Sequence, residues 1–311
     1  MYASGRRATN DDPESGIGDV GRPVSTVHED ERISRIMRLK GDRRISLCFP
    51  CRDEGETVGR LLAEARVHLV DEHRVLDELV VLDDNSTDDT AARAEAAGAT
   101  VIPISLVHDR HGAGRGKGNA LWASLVATQG DFIVWCDGDV TSFRADWILR
   151  LVEPLLVDDD LALVKAAYHR PEDLGGGGRT TELVARPLLS LFEPALARLD
   201  QPLAGEYAGR RHHLERIPFM QGWGAEVAML IDLARRFGPD CITQADLGVR
   251  HHRHHPLRTL SIQAAEVTGS LLIRQGLHDH LEASTLIRDD GSEVALNFDE
   301  RPPVASLALR S

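Results

Sequence analysis

The chain is poor in the residues that mark several common functions. Four cysteines in 311 residues (Cys48, Cys51, Cys136 and Cys241) are too few for a disulfide framework, so a reducing cytosol is the expected compartment. No apolar run is long enough to span a bilayer and the N-terminus lacks the apolar core of a signal peptide, so no membrane is expected. Basic residues are in deficit: 36 Lys and Arg against 49 Asp and Glu leave a formal net charge of -13. Nucleic-acid binding, which needs a basic face, is therefore not expected. An anionic small molecule stays open, because a local pocket can invert the sign of the overall field.

Two nucleotide signatures are missing as well. A dinucleotide fold wants G-x-G-x-x-G directly after its first strand, where this chain has Pro50-Cys51-Arg52-Asp53-Glu54. A P-loop wants G-x-x-x-x-G-K-[ST]; Gly116-Lys117 is present, but His111 replaces the first glycine and Gly118 the hydroxyl residue. Cys48-x-x-Cys51 has no second pair to complete a zinc site, and Cys48 falls inside an apolar run, so it reads as a buried strand residue.

What remains is a globular composition, 42% hydrophobic and 27% charged. Residues 1–24 are polar and without period, and are expected to form a disordered tail. Strands are expected at 45–49, 79–82, 101–104, 132–136 and 161–167, with helices at 57–70, 118–128 and 145–156. Ser86 or Thr87 is expected to cap an alanine-rich helix ending at Ala97, and 108–116 reads as a glycine- and arginine-rich loop. Further on come a helical stretch through Leu199, a helix ending near Phe237, residues 242–249, a run of histidines, and a helix with Pro256 in its first turn. The end, 297–311, has two prolines and no period. Near-continuous apolar strands separated by helices predict an α/β fold, a mostly parallel sheet covered on both faces.

Ligands bind such sheets outside the carboxyl ends of the strands. Pro50-Cys51, Asp83-Asp84 and Asp137-Gly138-Asp139 all sit at those ends. Asp137-x-Asp139 places two carboxylates on a tight turn, and a hard cation needs only one or two carboxylates plus phosphate oxygens. By itself D-x-D is weak, being common in helix-capping loops; its place on the rim strengthens it.

The order Pro50-x-x-x-Glu54, VVLDDNSTDDT, GKGNAL and DGD is similar to the GT-A glycosyltransferase fold. With GGGGRTTELVARPLL, GWGAE, VRHHRHHPL and a late RPP, the chain resembles the glucosyl-3-phosphoglycerate synthases and related mannosyl-3-phosphoglycerate synthases of glycosyltransferase family 81, over residues 33–303. The resemblance implies a retaining transfer of glucose from UDP-glucose to the 2-hydroxyl of 3-phosphoglycerate, with Mg2+ or Mn2+, by a homodimer. It implies that Pro50, Cys51, Arg52, Asp53, Glu54 and Asp84 hold the uracil and ribose and that Lys117 approaches the nucleotide. Asp137 and Gly138 would bind the donor, with Trp223, and Asp137 and Glu226 would be the catalytic pair, Glu226 against the glucose hydroxyls. Asp139 and His252 would ligate the metal. Gly178, Arg179, Thr180 and Thr181 would take the acceptor phosphate and His254 its carboxylate. Arg250 to His255 would close over the diphosphate.

The implied division is a tail (1–24), a nucleotide-sugar half (25–170), a smaller acceptor- and metal-completing half (171–290) and a C-terminal tail (291–311). Departures from the family pattern fall at Asp84, Trp223 and His254. Structural readings compete: Glu54 and Asp84 as helix caps, the glycine run 175–178 as a linker, the histidines as a solvated face. Rival functions are the same transfer from GDP-mannose, a polyprenyl-phosphate glycosyltransferase, and a non-catalytic nucleotide-sugar-binding protein.

Overall fold

The computed structural model describes residues 25–169, 178–250, 256–281 and 283–307, with side chains from residue 30. Its centre is a seven-stranded sheet in the order β3-β2-β1-β4-β6-β5-β8. The strands are β1 (Ile45–Cys51), β2 (Glu78–Asp83), β3 (Thr100–Pro103), β4 (Phe132–Trp135), β5 (Leu163–His169), β6 (Tyr207–Arg210) and, after the two-residue β7 (Phe219–Met220), β8 (Ile242–Val249). β1 pairs in parallel with β2 and β4, β2 with β3, and β5 with β8, while β6 runs antiparallel between β4 and β5.

The apolar strands are buried on both faces, and successive side chains feed two separate cores. Ile45, Leu47, Phe49, Phe132 and Val134 enter one; Cys48, Ile133 and Trp135 enter the other. The first core is covered by α1 (Ser25–Lys40), α2 (Val58–Arg66) and α6 (Ala145–Val157). The second takes α5 (Lys117–Ala127) and, after the short α7 (Arg186–Phe192) and α8 (Arg211–Leu214), α9 (Ala225–Phe237). Helix α1 lies before the first expected element; Ile33 and Ile36 enter the core one turn apart, and Arg32 pairs with Asp146 and Glu153 of α6.

Several expected boundaries move. The helix expected at 57–70 is α-helical only through Arg66 and continues as a π-helical turn, Val67–Glu72. Much of the expected loop 108–116 is taken by α4 (Ser105–His111), which stops at Gly112 with φ 81°. Ser86 and Thr87 cap nothing: α3 (Thr90–Ala96) begins three residues later, with the Asp88 carboxylate accepting from Thr90 N. The long helix α10 (Leu257–Arg274) starts just past Pro256. The stretch expected as a C-terminal tail, 291–311, carries β10 (Glu293–Ala295), paired with β9 (Thr285–Ile287), and β11 (Glu300–Arg301), paired with β7. The expected tail 1–24 lies outside the described residues.

Candidate active site

Strand β1 has β2 on one side and β4 on the other, which makes its carboxyl end a switch point of the sheet. Parallel pairing brings the ends of β1, β2 and β4 to one edge. Because β6 runs the other way, with Tyr207 opposite Trp135, the residues just before it, Gly205 and Glu206, arrive at that same edge. β8 delivers Arg250 there, its N–H donating to His169 O at 3.1 Å.

A cavity of about 440 Å3 opens at this edge. Pro50, Cys51, Arg52 and Glu54 line it from β1, Asp84 from β2, and Lys117 from the start of α5. Asp137, Gly138 and Asp139 line it from the turn after β4, and Trp223 from the loop before α9. Asp53 does not line it. Held at φ 57°, it accepts from Thr87 N at 2.7 Å through its carboxylate and donates its own N–H to Ser86 Oγ at 3.1 Å, which clasps the loops after β1 and β2 together. Ser86 and Thr87 are thus spent on this clasp.

Asp137 is the electrostatic centre. Lys117 Nζ lies 2.9 Å from its Oδ1, and Arg250 lies 3.0 Å from its Oδ2. Lys117 also lies 2.7 Å from Oε1 of Glu226, a buried residue in the first turn of α9. Burial pushes the Asp137 carboxyl up, but Lys117 and Arg250 outweigh it and hold the group down at about 2. Lys117 is in turn held well above the usual lysine range: burial opposes its charge and the Asp137 and Glu226 carboxylates overcome that. Both are charged at neutral pH. Asp137 keeps 27% of its side-chain surface open, so a ligand can reach it.

Arg250 is anchored from behind. Its Nε donates to Glu206 Oε1 at 2.9 Å, and Glu206 is fully buried. Burial raises the Glu206 carboxyl against the pull of Arg250. Lys165 is also buried here, its ammonium donating to Ala204 O and lying 4.1 Å from the centre of the Tyr207 ring. Burial lowers its pKa to about 7, with Glu226 pulling the other way.

Two glycines fit the turn to its surroundings. A Cβ on Gly205 would lie 2.1 Å from Asp137 Oδ2, and one on Gly138 2.8 Å from Cys51 Sγ. Thr57, at the head of α2, donates to Gly138 O at 2.6 Å and so ties the turn down. Burial pushes the Cys48 thiol up to about 12 and the Cys51 thiol well above its usual value, so neither is a thiolate nucleophile at neutral pH.

None of the acceptor candidates Gly178 to Thr181 lines the cavity. Gly178, at φ 69°, and Arg179 and Thr180 lead into the π-helical turn Thr181–Ala185, in which Thr181 is buried. His252, His254 and His255 lie outside the described residues. Among the described residues no three His, Cys, Asp or Glu side chains form a metal cluster. A hard cation bound chiefly through phosphate oxygens nevertheless fits the turn. Both Asp137 oxygens already face cations, and Asp139 lines the same cavity two residues on.

Comparison with known proteins agrees with this geometry. Residues 46–216 match the glycosyl transferase family 2 profile. A glucosyl-3-phosphoglycerate synthase of Petrotoga mobilis is 42% identical over 267 residues, covering 83% of this chain and 82% of that one. The chain belongs to the glucosyl-3-phosphoglycerate synthase family. The family member of Mycobacterium tuberculosis, crystallised with Mn2+, UDP-glucose and phosphoglyceric acid, superposes with TM-score 0.82 at 38% identity, over 93% of this chain and 97% of that one. A second crystal structure of that protein, with Mn2+, UDP and glucosyl-3-phosphoglycerate, gives TM-score 0.81 at 38% identity, over 93% and 98%. The fold is thus the GT-A fold of the family.

Glu206 and Gly205 carry no motif and are visible only once β6 is placed. The one sequence signal was the apolar-flanked Lys165, a charge inside a strand.

Proposed function

We propose that this chain transfers the glucosyl group of UDP-glucose to the 2-hydroxyl of 3-phosphoglycerate, releasing UDP and glucosyl-3-phosphoglycerate. The observation that carries this is Asp137, clamped between Lys117 and Arg250 on the floor of a cavity at the sheet's switch point. The relatives crystallised with UDP-glucose and phosphoglyceric acid support the choice of substrates.

The acceptor oxygen bonds to C1 of glucose while the bond from C1 to the diphosphate breaks. The electron pair leaves with UDP, and the hydroxyl proton passes to a diphosphate oxygen. Attack on the face from which UDP departs retains the anomeric configuration and needs no nucleophile from the protein. Lys117 and Arg250 supply positive charge beside the departing diphosphate, already oriented by Glu226 and Glu206, so little reorganisation is left for the transition state. Asp137 and Glu226 accept from the glucose hydroxyls.

Pro50 to Glu54 with Asp84 hold uracil and ribose, and Gly138 and Trp223 complete the donor pocket. A divalent cation, Mg2+ or Mn2+, held by Asp139 and His252 would neutralise the diphosphate. The group Gly178 to Thr181, with His254, takes phosphoglycerate; a guanidinium and two hydroxyls next to a helical turn suit a phosphate. The same reading assigns His255 to the diphosphate. On this reading 25–170 is the donor half and 171–290 the acceptor half.

The reading includes a cytosolic location, supported by four buried free cysteines. No helix among the described residues is long and apolar enough to cross a membrane. It also includes a homodimer, supported by Leu183, Leu191 and Leu257, which are 76%, 77% and 71% exposed.

The test is proton NMR of a reaction with UDP-glucose, 3-phosphoglycerate and Mn2+. An α-anomeric glucosyl product formed one-to-one with UDP supports the scheme, and a β-anomer would overturn its stereochemistry.

A further inference from the structure

Lys117 stands at the end of a glycine loop, and such a loop left to itself would not fix an ammonium between two carboxylates. The loop is held from the far end of the chain. Arg301, 5% exposed, donates from Nη1 to His111 O at 3.1 Å, from Nη2 to Gly112 O at 2.8 Å and from Nε to Asn119 Oδ1 at 2.8 Å. It therefore grips the loop where it leaves α4 and again in the first turn of α5. Between those points Asn297 Nδ2 donates to Arg115 O at 2.9 Å, and Gln221 Oε1 accepts from Arg115 N at 3.0 Å.

The segment that does this is anchored independently. β11 pairs with β7, and the buried Glu266 of α10 accepts from Asn297 N at 2.8 Å and from Trp223 N at 2.7 Å. The guanidinium of Arg301 also lies 4.8 Å from the Trp122 ring centre, and among the described residues no carboxylate lies within ion-pair distance of it. A buried cation on neutral acceptors alone is costly, and an apolar side chain of the same size would serve packing better. What an apolar side chain could not do is hold two carbonyls and an amide oxygen at once.

We propose that Arg301 is a positioning residue for Lys117: the C-terminal segment 297–301 sets the loop that presents this lysine to the donor diphosphate. The inference rests on the donor-site reading above and assigns a role to the late Arg-Pro-Pro sequence, Arg301 to Pro303, that the catalytic scheme leaves unused.

The test is a double-mutant cycle with Arg301→Lys and Lys117→Met, read as the Kd for UDP with Mn2+ by calorimetry. Arg301→Lys keeps the charge and loses the fork. It should weaken UDP about tenfold when Lys117 is present and by less than about twofold in the Lys117→Met background. An equal loss in both backgrounds, or no loss in either, overturns the inference. The KM for 3-phosphoglycerate should not move.

Hydrogen exchange of amides 112–119, measured without nucleotide, should speed up in Arg301→Lys; unchanged exchange also overturns the inference. This arm still decides the matter if wild-type protein fails to bind UDP, a result that would sink the donor-site reading instead. Should Arg301→Lys not fold, Asn297→Ala, which removes the bond to Arg115 O and the one accepted from Asp299 N, takes its place in both measurements with the same expected and contrary results.

Discussion

The guanidinium of Arg250 bridges two carboxylates, 3.0 Å from Asp137 and 2.8 Å from the fully buried Glu206. One of these faces the cavity and the other never meets solvent. A cation placed this way is fixed before any donor arrives. Its cost is a buried ion pair that fails badly when one member is removed.

That cost can be measured. Glu206→Ala leaves Arg250 buried with, among the described residues, only Asp137 to pair, and should lose about 3 kcal/mol of stability in denaturant unfolding. Glu206→Gln retains an acceptor for Nε and should lose less. A change under about 0.5 kcal/mol for Glu206→Ala would mean that the pair is not buried as described.

Gly205 tests the fit around Asp137. The Cβ of Gly205→Ala would overlap the Asp137 carboxylate, so the carboxylate or residue 205 must shift and the clamp on Asp137 is disturbed. A displacement near 1 Å of a group that positions substrate should lower kcat/KM for UDP-glucose about 100-fold. Unchanged kinetics would show that Asp137 does not need its clamped position.

Asp139→Asn bears on the cation. With the carboxylate charge gone and the shape kept, turnover should fall by at least about 100-fold, and raising Mn2+ should recover only part of it. Wild-type turnover that survives full chelation would contradict the role given to Asp139.

Lys165 predicts a pH dependence. Its pKa is lowered in the folded protein to about 7, against 10.5 ordinarily, so below 10.5 the unfolded chain takes up a proton that the folded chain resists. The unfolded state binds more protons between these limits, so stability rises with pH across that window. Relative to Lys165→Met, which cannot titrate, wild type should gain about 2 kcal/mol between pH 7 and pH 9 in denaturant unfolding. No relative gain would mean that Lys165 keeps its charge in the core.

The parallel half of the sheet was legible because each of its strands is an apolar run closed by polar residues, as in Phe132 to Trp135 before Asp137. The cavity-lining residues from β1, β2 and β4 followed from that, since a parallel sheet puts all carboxyl ends on one edge. Strand β6 escaped because Tyr-Ala-Gly-Arg is short, carries a glycine and has no period. With it went Gly205 and Glu206, which reach the edge only because β6 runs antiparallel.

Capping at Ser86 and Thr87 was misread for a different reason. Both are good cap residues locally, but a partner 33 and 34 residues away, Asp53, outcompetes the helix for their hydroxyls and for the Thr87 N–H. The strap from Arg301 was illegible for the same reason on a larger scale. Its partners lie 182 to 190 residues earlier, beyond any pattern of spacing.

The central claim is the donor and acceptor. The measurement that tests it most directly is nucleotide release and glycosylated product from UDP-glucose and from GDP-mannose, each with 3-phosphoglycerate, with Mn2+ and with chelator. The account predicts product that depends on the metal and is confined to UDP-glucose. Product from GDP-mannose alone, or from neither donor, would contradict it.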